Sequence, residues 1–106
     1  MKTTIGIDLR RAADQLRATG IRTGDRRLRD HLISIEAIRK TQFGYEVTPR
    51  YRDAGLLITQ NRQHIIITES GRQIMRHYTV VLVTEDGLSW LRGILTEAAA
   101  ARQVAG

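Results

Sequence analysis

An α+β domain is what this sequence predicts, on three observations. Apolar residues recur at helical spacing near both ends, in Leu9, Ala12, Ala13 and Leu16 and again in Leu88, Leu91, Ile94, Leu95 and Ala98. Two β-leaning runs, Leu56 to Thr68 and Ile74 to Thr84, flank the turn-forming Glu69-Ser70-Gly71-Arg72. With 106 residues, 42% of them hydrophobic, the chain has the length for one domain with a modest core, so 1–106 is read as a single unit.

Each element has a local reason. Residues 3–7 are short and β-leaning. Asp8 has the chemistry of an N-cap, a short carboxylate that satisfies free amides of the first turn, and starts a helix over about 9–18. Gly20 is the stop for that helix. The loop 19–24 lies between Gly20 and Gly24, with Ile21 anchoring it inward. Asp25 is expected to cap a second helix with a buried stripe of Leu28, Leu32 and Ile35. The helical spacing continues through Ala37 and Ile38, so 25–41 reads as one helix or two, and 42–48 as a loop or a short extended piece. Pro49, the single proline, suits the first turn of a short helix over about 49–54, ended by Gly55. The two β-leaning runs then form a long hairpin, which needs helices packed on one face to be stable. Thr84 caps the last helix, with Glu85 and Asp86 placed well against its dipole. Trp90 lies beside the apolar stripe of that helix, and Gln103 to Gly106 are expected to fray.

The order of helix, helix, short helix, hairpin and helix is that of a winged-helix-like domain. The first two helices resemble a helix-turn-helix, although the Gly20–Gly24 connection is longer than the tight turn usual there. The hairpin resembles a wing.

Charge narrows the partners. Seventeen Lys and Arg stand against eleven Asp and Glu, a net charge of +6, and Lys2 and Lys40 alone are lysine. Guanidinium forks match phosphates and guanine edges, so double-stranded DNA is the expected partner; the alternative is a solvated basic surface. The chain has no cysteine, which excludes disulfides and thiolate metal sites. No stretch approaches the length of a membrane span and the N-terminus lacks an apolar signal core, so a soluble, cytoplasmic protein with no membrane partner is expected.

Arg26, Arg27 and Arg29 fall in the N-terminal half of the second helix, where recognition helices place base-contacting residues and where phosphate is favoured. Asp25 and Asp30 neutralise part of that face. Arg62, Arg72 and Arg76 decorate the hairpin, with His64 and His77 nearby. There they would ride on phosphates or enter a minor groove, or guard the hairpin against edge-to-edge association. Arg50 is placed to reach a phosphate. Tyr51 is read as a packing residue, and Asp53 as a partner for a neighbouring arginine or a local cap. His31, His64 and His77 lack metal-ligand spacing. His64 and His77 would face each other across the hairpin, but two imidazoles alone make a weak site. Ser34, Ser70 and Ser89 sit in no nucleophile elbow, and the Gly20–Gly24 loop lacks the lysine of a phosphate-cradling loop. No catalytic residue, metal or cofactor is therefore expected.

Three segments together resemble the phage antirepressor KilAC domain family. They are Gly20 to Leu32, on a pattern G-x-x-x-G-x-x-x-L-x-x-x-L; Pro49 to Leu56, with Tyr51, Asp53 and Gly55 in Y-x-D-x-G-L; and Val83-Thr84-Glu85-Asp86-Gly87, on V-T-x-x-G. The resemblance spans about residues 8–98. It implies a DNA-binding transcription regulator of phage or prophage origin that relieves repression in the host cytoplasm or nucleoid. Two departures stand out. The usual N-terminal partner domain is absent from this chain, which implies a standalone relative or an excised module. The hairpin is also longer than usual, through Asn61 to Gln73. An antirepressor can also act by binding a repressor without touching DNA, so a protein-interaction module that inactivates a repressor or other host protein is the alternative. In that case the apolar hairpin or the last helix with Trp90 would be the partner or homodimer surface.

Overall fold

The computed structural model describes residues 6–105, with side chains described for 6–97. Its elements run β1 (Gly6–Asp8), α1 (Leu9–Ala18), α2 (Asp25–Ser34), β2 (Ile38–Thr41), β3 (Gly44–Val47), α3 (Pro49–Asp53), β4 (Leu57–Ile67), β5 (Gln73–Thr84) and α4 (Glu85–Ala105). The expected α+β class is correct, and the strands form one mixed five-stranded sheet. Residues 3–5 of the expected first strand and Gly106 lie outside the described residues. α4 continues through Ala105.

β5 is the centre of the sheet. All of it but Thr84 pairs antiparallel with β4, from Leu57 opposite Val83 to Ile67 opposite Gln73. β1 also pairs with it, antiparallel, at Leu82 to Thr84, and β3 meets it in parallel at Thr79. The core forms where α1, α2 and α4 lie against the base of this sheet: Ala12, Ala13, Leu16, Leu28, Leu32, Leu57, Val81, Val83 and Leu91 are all buried. Burying each of the larger side chains contributes about 1.5–3 kcal/mol.

α1 spans the expected residues. The Asp8 carboxylate accepts from the Arg11 amide at 2.8 Å. An Asp8→Ala variant is expected to lose about 1 kcal/mol in urea denaturation, because the first-turn amide loses its partner while the backbone pairing of β1 is untouched. Beyond α1, the Ile21 amide donates to the Leu16 carbonyl, and Ile21 packs on the core as expected.

Two expectations about α2 are overturned. Asp25 is the first helical residue and not the cap. Gly24, with extended backbone, holds the cap position and has no side chain to offer. The helix also stops at Ser34. Glu36 takes a left-handed φ of 61°, the Ala37 amide turns back to the Leu32 carbonyl, and the chain leaves as β2. Ala37 and Ile38 are buried nonetheless. Their helix-like spacing is satisfied by entry into a strand.

The residues read as a helix end and as a loop or short extended piece are thus a second, shorter hairpin, β2–β3, with the extended alternative holding for Gly44–Val47, Ile38 opposite Val47 and Arg39 ion-paired to Glu46 across it. Thr48 fastens its base. The Thr48 amide donates to the Ala37 carbonyl, and its hydroxyl lies 2.8 Å from the Glu36 carbonyl. At the other end, Gly44 has φ 134° and stands so close to β5 that a Cβ there would lie 2.4 Å from the Thr79 carbonyl oxygen. Only glycine fits this contact.

α3 begins at Pro49 as expected, and Gly55 follows it with φ 75°. Tyr51 packs against Trp90 with ring centroids 5.3 Å apart. Thr84 is the expected cap of α4. Its hydroxyl accepts from the Gly87 amide at 2.9 Å and donates to the Gly55 carbonyl at 2.6 Å. One side chain thereby ties the start of α4 to the α3–β4 turn.

Candidate nucleic-acid interface

β4 and β5 leave the body as an arm. From Gln60 to Tyr78 nearly every residue is exposed, and only the β2–β3 turn reaches the ribbon, where Gln42 and Phe43 share a cavity with His64, Ile66, Met75, Arg76, His77 and Tyr78. At about 3.3 Å per residue the projecting part is roughly 25 Å long. It accounts for extents of 59 × 36 × 24 Å and a radius of gyration of 16.3 Å, against about 13 Å for a compact domain of this size.

The register sorts the arm's side chains, because paired residues share a face and neighbours alternate. Arg62 pairs with Tyr78 and His64 with Arg76. Thr68 and Arg72 close the ribbon, with the Thr68 amide on the Arg72 carbonyl. Arg62, Arg72 and Arg76 therefore stand on one face, together with His64. Glu69, in the turn, is the arm's single acid. Arg62 is steadied by Gln60, whose amide oxygen accepts from its Nε at 2.9 Å. His77 pairs with Gln63 and belongs to the opposite face. The expectation that His64 and His77 face each other is wrong, because they are one register step out of phase.

The second basic region surrounds the start of α2. Arg26 and Arg27 are exposed. Arg17, Arg22 and Arg27 line a shallow basin over the Gly20–Thr23 loop. Arg17 is ion-paired to Asp14. Arg17 and Arg22 were not singled out by the sequence, because the loop joins them only in three dimensions. Arg29 differs from its neighbours. It is half-buried, with its guanidinium 5.5 Å from the Tyr45 ring centre, a cation–π geometry. Tyr45 lies on β3 beside Gly44, which pairs with Thr79 at the root of the arm. α2, β3 and the arm are therefore joined in sequence by direct contacts.

Arg50 is not part of either region. It lies 5.9 Å from the Tyr51 ring centre and lines a groove with Arg39, Lys40, Ile33 and Ile35, between the end of α2 and the start of α3. Arg52 pairs with Asp53 at 3.3 Å, as expected for Asp53. Among the described residues no group of three or more His, Cys, Asp or Glu is placed to hold a metal, and no helix is long and apolar enough to cross a membrane. No family model, curated protein or solved structure matches the chain.

Proposed function

We propose that the protein binds duplex DNA as a phage- or prophage-type transcription regulator of the antirepressor kind, acting in the host cytoplasm or nucleoid and catalysing no reaction. In this reading the fold is winged-helix-like. α1 and α2 are its helix-turn-helix, the β4–β5 arm is its wing, and the KilAC resemblance supplies the family. One observation carries it: the strand register collects Arg62, Arg72 and Arg76 on a single face of a projecting ribbon. That face follows a phosphate backbone, while Arg26 and Arg27 at the start of α2 meet a groove, with Arg29 held in place by Tyr45. Arg50 contributes a more distant phosphate contact.

Fluorescence anisotropy with a labelled duplex tests this directly. If about five phosphates are neutralised, the log-log slope of affinity against salt is about −4 to −5. A flat salt response, or no binding to any duplex at low salt, sinks the reading. A second reading has the exposed Ile65, Ile67 and Met75 in its favour: the arm docks on a repressor or other host protein and inactivates it without DNA. Reversing Arg26 and Arg27 sharply weakens duplex binding under the first reading and leaves repressor binding intact under the second.

A further inference from the structure

The register that gathers the arginines leaves the arm's other face without a single formal charge. Asn61, Gln63, Ile65 and Ile67 of β4 share it with Gln73, Met75 and His77 of β5. It continues the face that Leu57, Val81 and Val83 present to the core lower on the same strands. At the base the helices cover this surface. Further out, Gly44 abuts Thr79, whose hydroxyl is buried, and Gln42 and Phe43 share a cavity with Met75 and His77, but Ile65, Ile67 and Met75 are still 56%, 69% and 53% exposed. A two-stranded ribbon with a bare apolar face is marginal in water by itself, and a contiguous patch of this kind marks a contact surface.

We propose that this neutral face docks on the same face of a second copy of the chain, giving a two-fold pair of arms stacked face to face. The charge distribution selects that occupant. A nucleic acid or an acidic protein finds no cation on this face to pair with, whereas a second copy offers an equally neutral, self-complementary apolar surface. Stacked ribbons lie about 10 Å apart, and Arg62, Arg72 and Arg76 of both copies then point outward, away from the contact. Repulsion between two chains of net charge +6 is thereby kept off the interface. Pairing the arms edge to edge would leave Ile65, Ile67 and Met75 bare and set the two basic faces side by side. The inference stands on the arm's register and not on DNA binding, so the dimer forms without nucleic acid.

Sedimentation velocity of the full chain, free of nucleic acid, is expected to show a concentration-dependent dimer. The combined Ile65→Thr, Ile67→Thr and Met75→Thr variant is expected to weaken it at least ~100-fold, with threonine preserving strand propensity. The Ile66→Thr and Ile74→Thr pair, on the basic face, leaves it within a few-fold. Far-UV circular dichroism confirms that both variants keep the fold. The chain has no cysteine, so single probes are clean. Ile65→Cys is expected to cross-link rapidly with a short bismaleimide, and Ile66→Cys, turned to the outer side, is not. A wild-type chain that stays monomeric at every concentration, a dimer indifferent to the triple variant, or equal cross-linking at both positions overturns the proposal. A salt-dependent duplex affinity survives each of those results, so the two proposals fail separately.

Discussion

Gly87→Ala is expected to cost at least ~3 kcal/mol and to leave much of the population unfolded at physiological temperature. A Cβ at this position would lie 1.9 Å from the Leu56 carbonyl oxygen and 2.9 Å from its carbon. The obstruction is backbone, so no rotamer change relieves it. The same oxygen accepts from the Thr84 amide, and Thr84 in turn holds the Gly87 amide. Moving α4 outward to admit a methyl group therefore breaks the cap, the tie to the α3–β4 turn and the Tyr51–Trp90 contact together. Gly93 is the control within the same helix. Nothing lies within 4 Å of a Cβ there, and Gly93→Ala is expected to stabilise by about 0.5–1 kcal/mol through helix propensity. Denaturant titration of the two variants should move the midpoint in opposite directions. Equal and small shifts would show that α4 is less firmly docked than Thr84 implies.

The largest expected effect on function comes from reversing Arg26 and Arg27 to glutamate. Both side chains are exposed, so stability should change by less than about 0.5 kcal/mol. Duplex affinity should fall at least ~100-fold at low salt, and the salt slope should shrink by about 2, one phosphate for each arginine. Arg29 is left out of this test deliberately. Its stacking over Tyr45 contributes about 0.5–2 kcal/mol to holding α2 against β3, so its reversal would mix folding with binding. Arg92→Glu, exposed on α4, supplies the control for bulk charge and should cost only a few-fold when compared with Arg26→Glu alone. Equal losses at both sites would indicate diffuse attraction to a basic protein in place of a defined contact.

Much of the fold was legible in the sequence where a single residue type dictates local geometry. Asp8, Gly20, Pro49, Gly55 and Thr84 mark boundaries that the structure keeps, because capping, left-handed turns and the proline ring act over a few residues. The β2–β3 hairpin was not legible. Its strands are four residues each, and Ile35, Ala37 and Ile38 prolong the spacing of α2. The break rests on Glu36, a glutamate in a left-handed conformation that no sequence rule favours. Asp25 misled for a related reason: a good capping side chain one position inside the helix still improves the dipole and looks like the cap itself. The candidate site was legible as a list of arginines but not as an arrangement. Strand register puts Arg62, Arg72 and Arg76 together, and a long-range contact puts Arg29 on Tyr45. Arg50 shares only charge with them.

The central position of β5 has a consequence for how the molecule comes into being. β1, β3 and β4 all pair with β5, which is the last strand synthesised. A ribosome adding about 5–20 residues per second therefore exposes α1, α2 and the short hairpin well before the strand that organises them exists. Contacts this distant along the chain also slow refolding relative to helical domains of the same size. The nascent chain has no half-domain to settle into, and a product cut short before residue 79 is expected to be protease-sensitive throughout, not a smaller folded module.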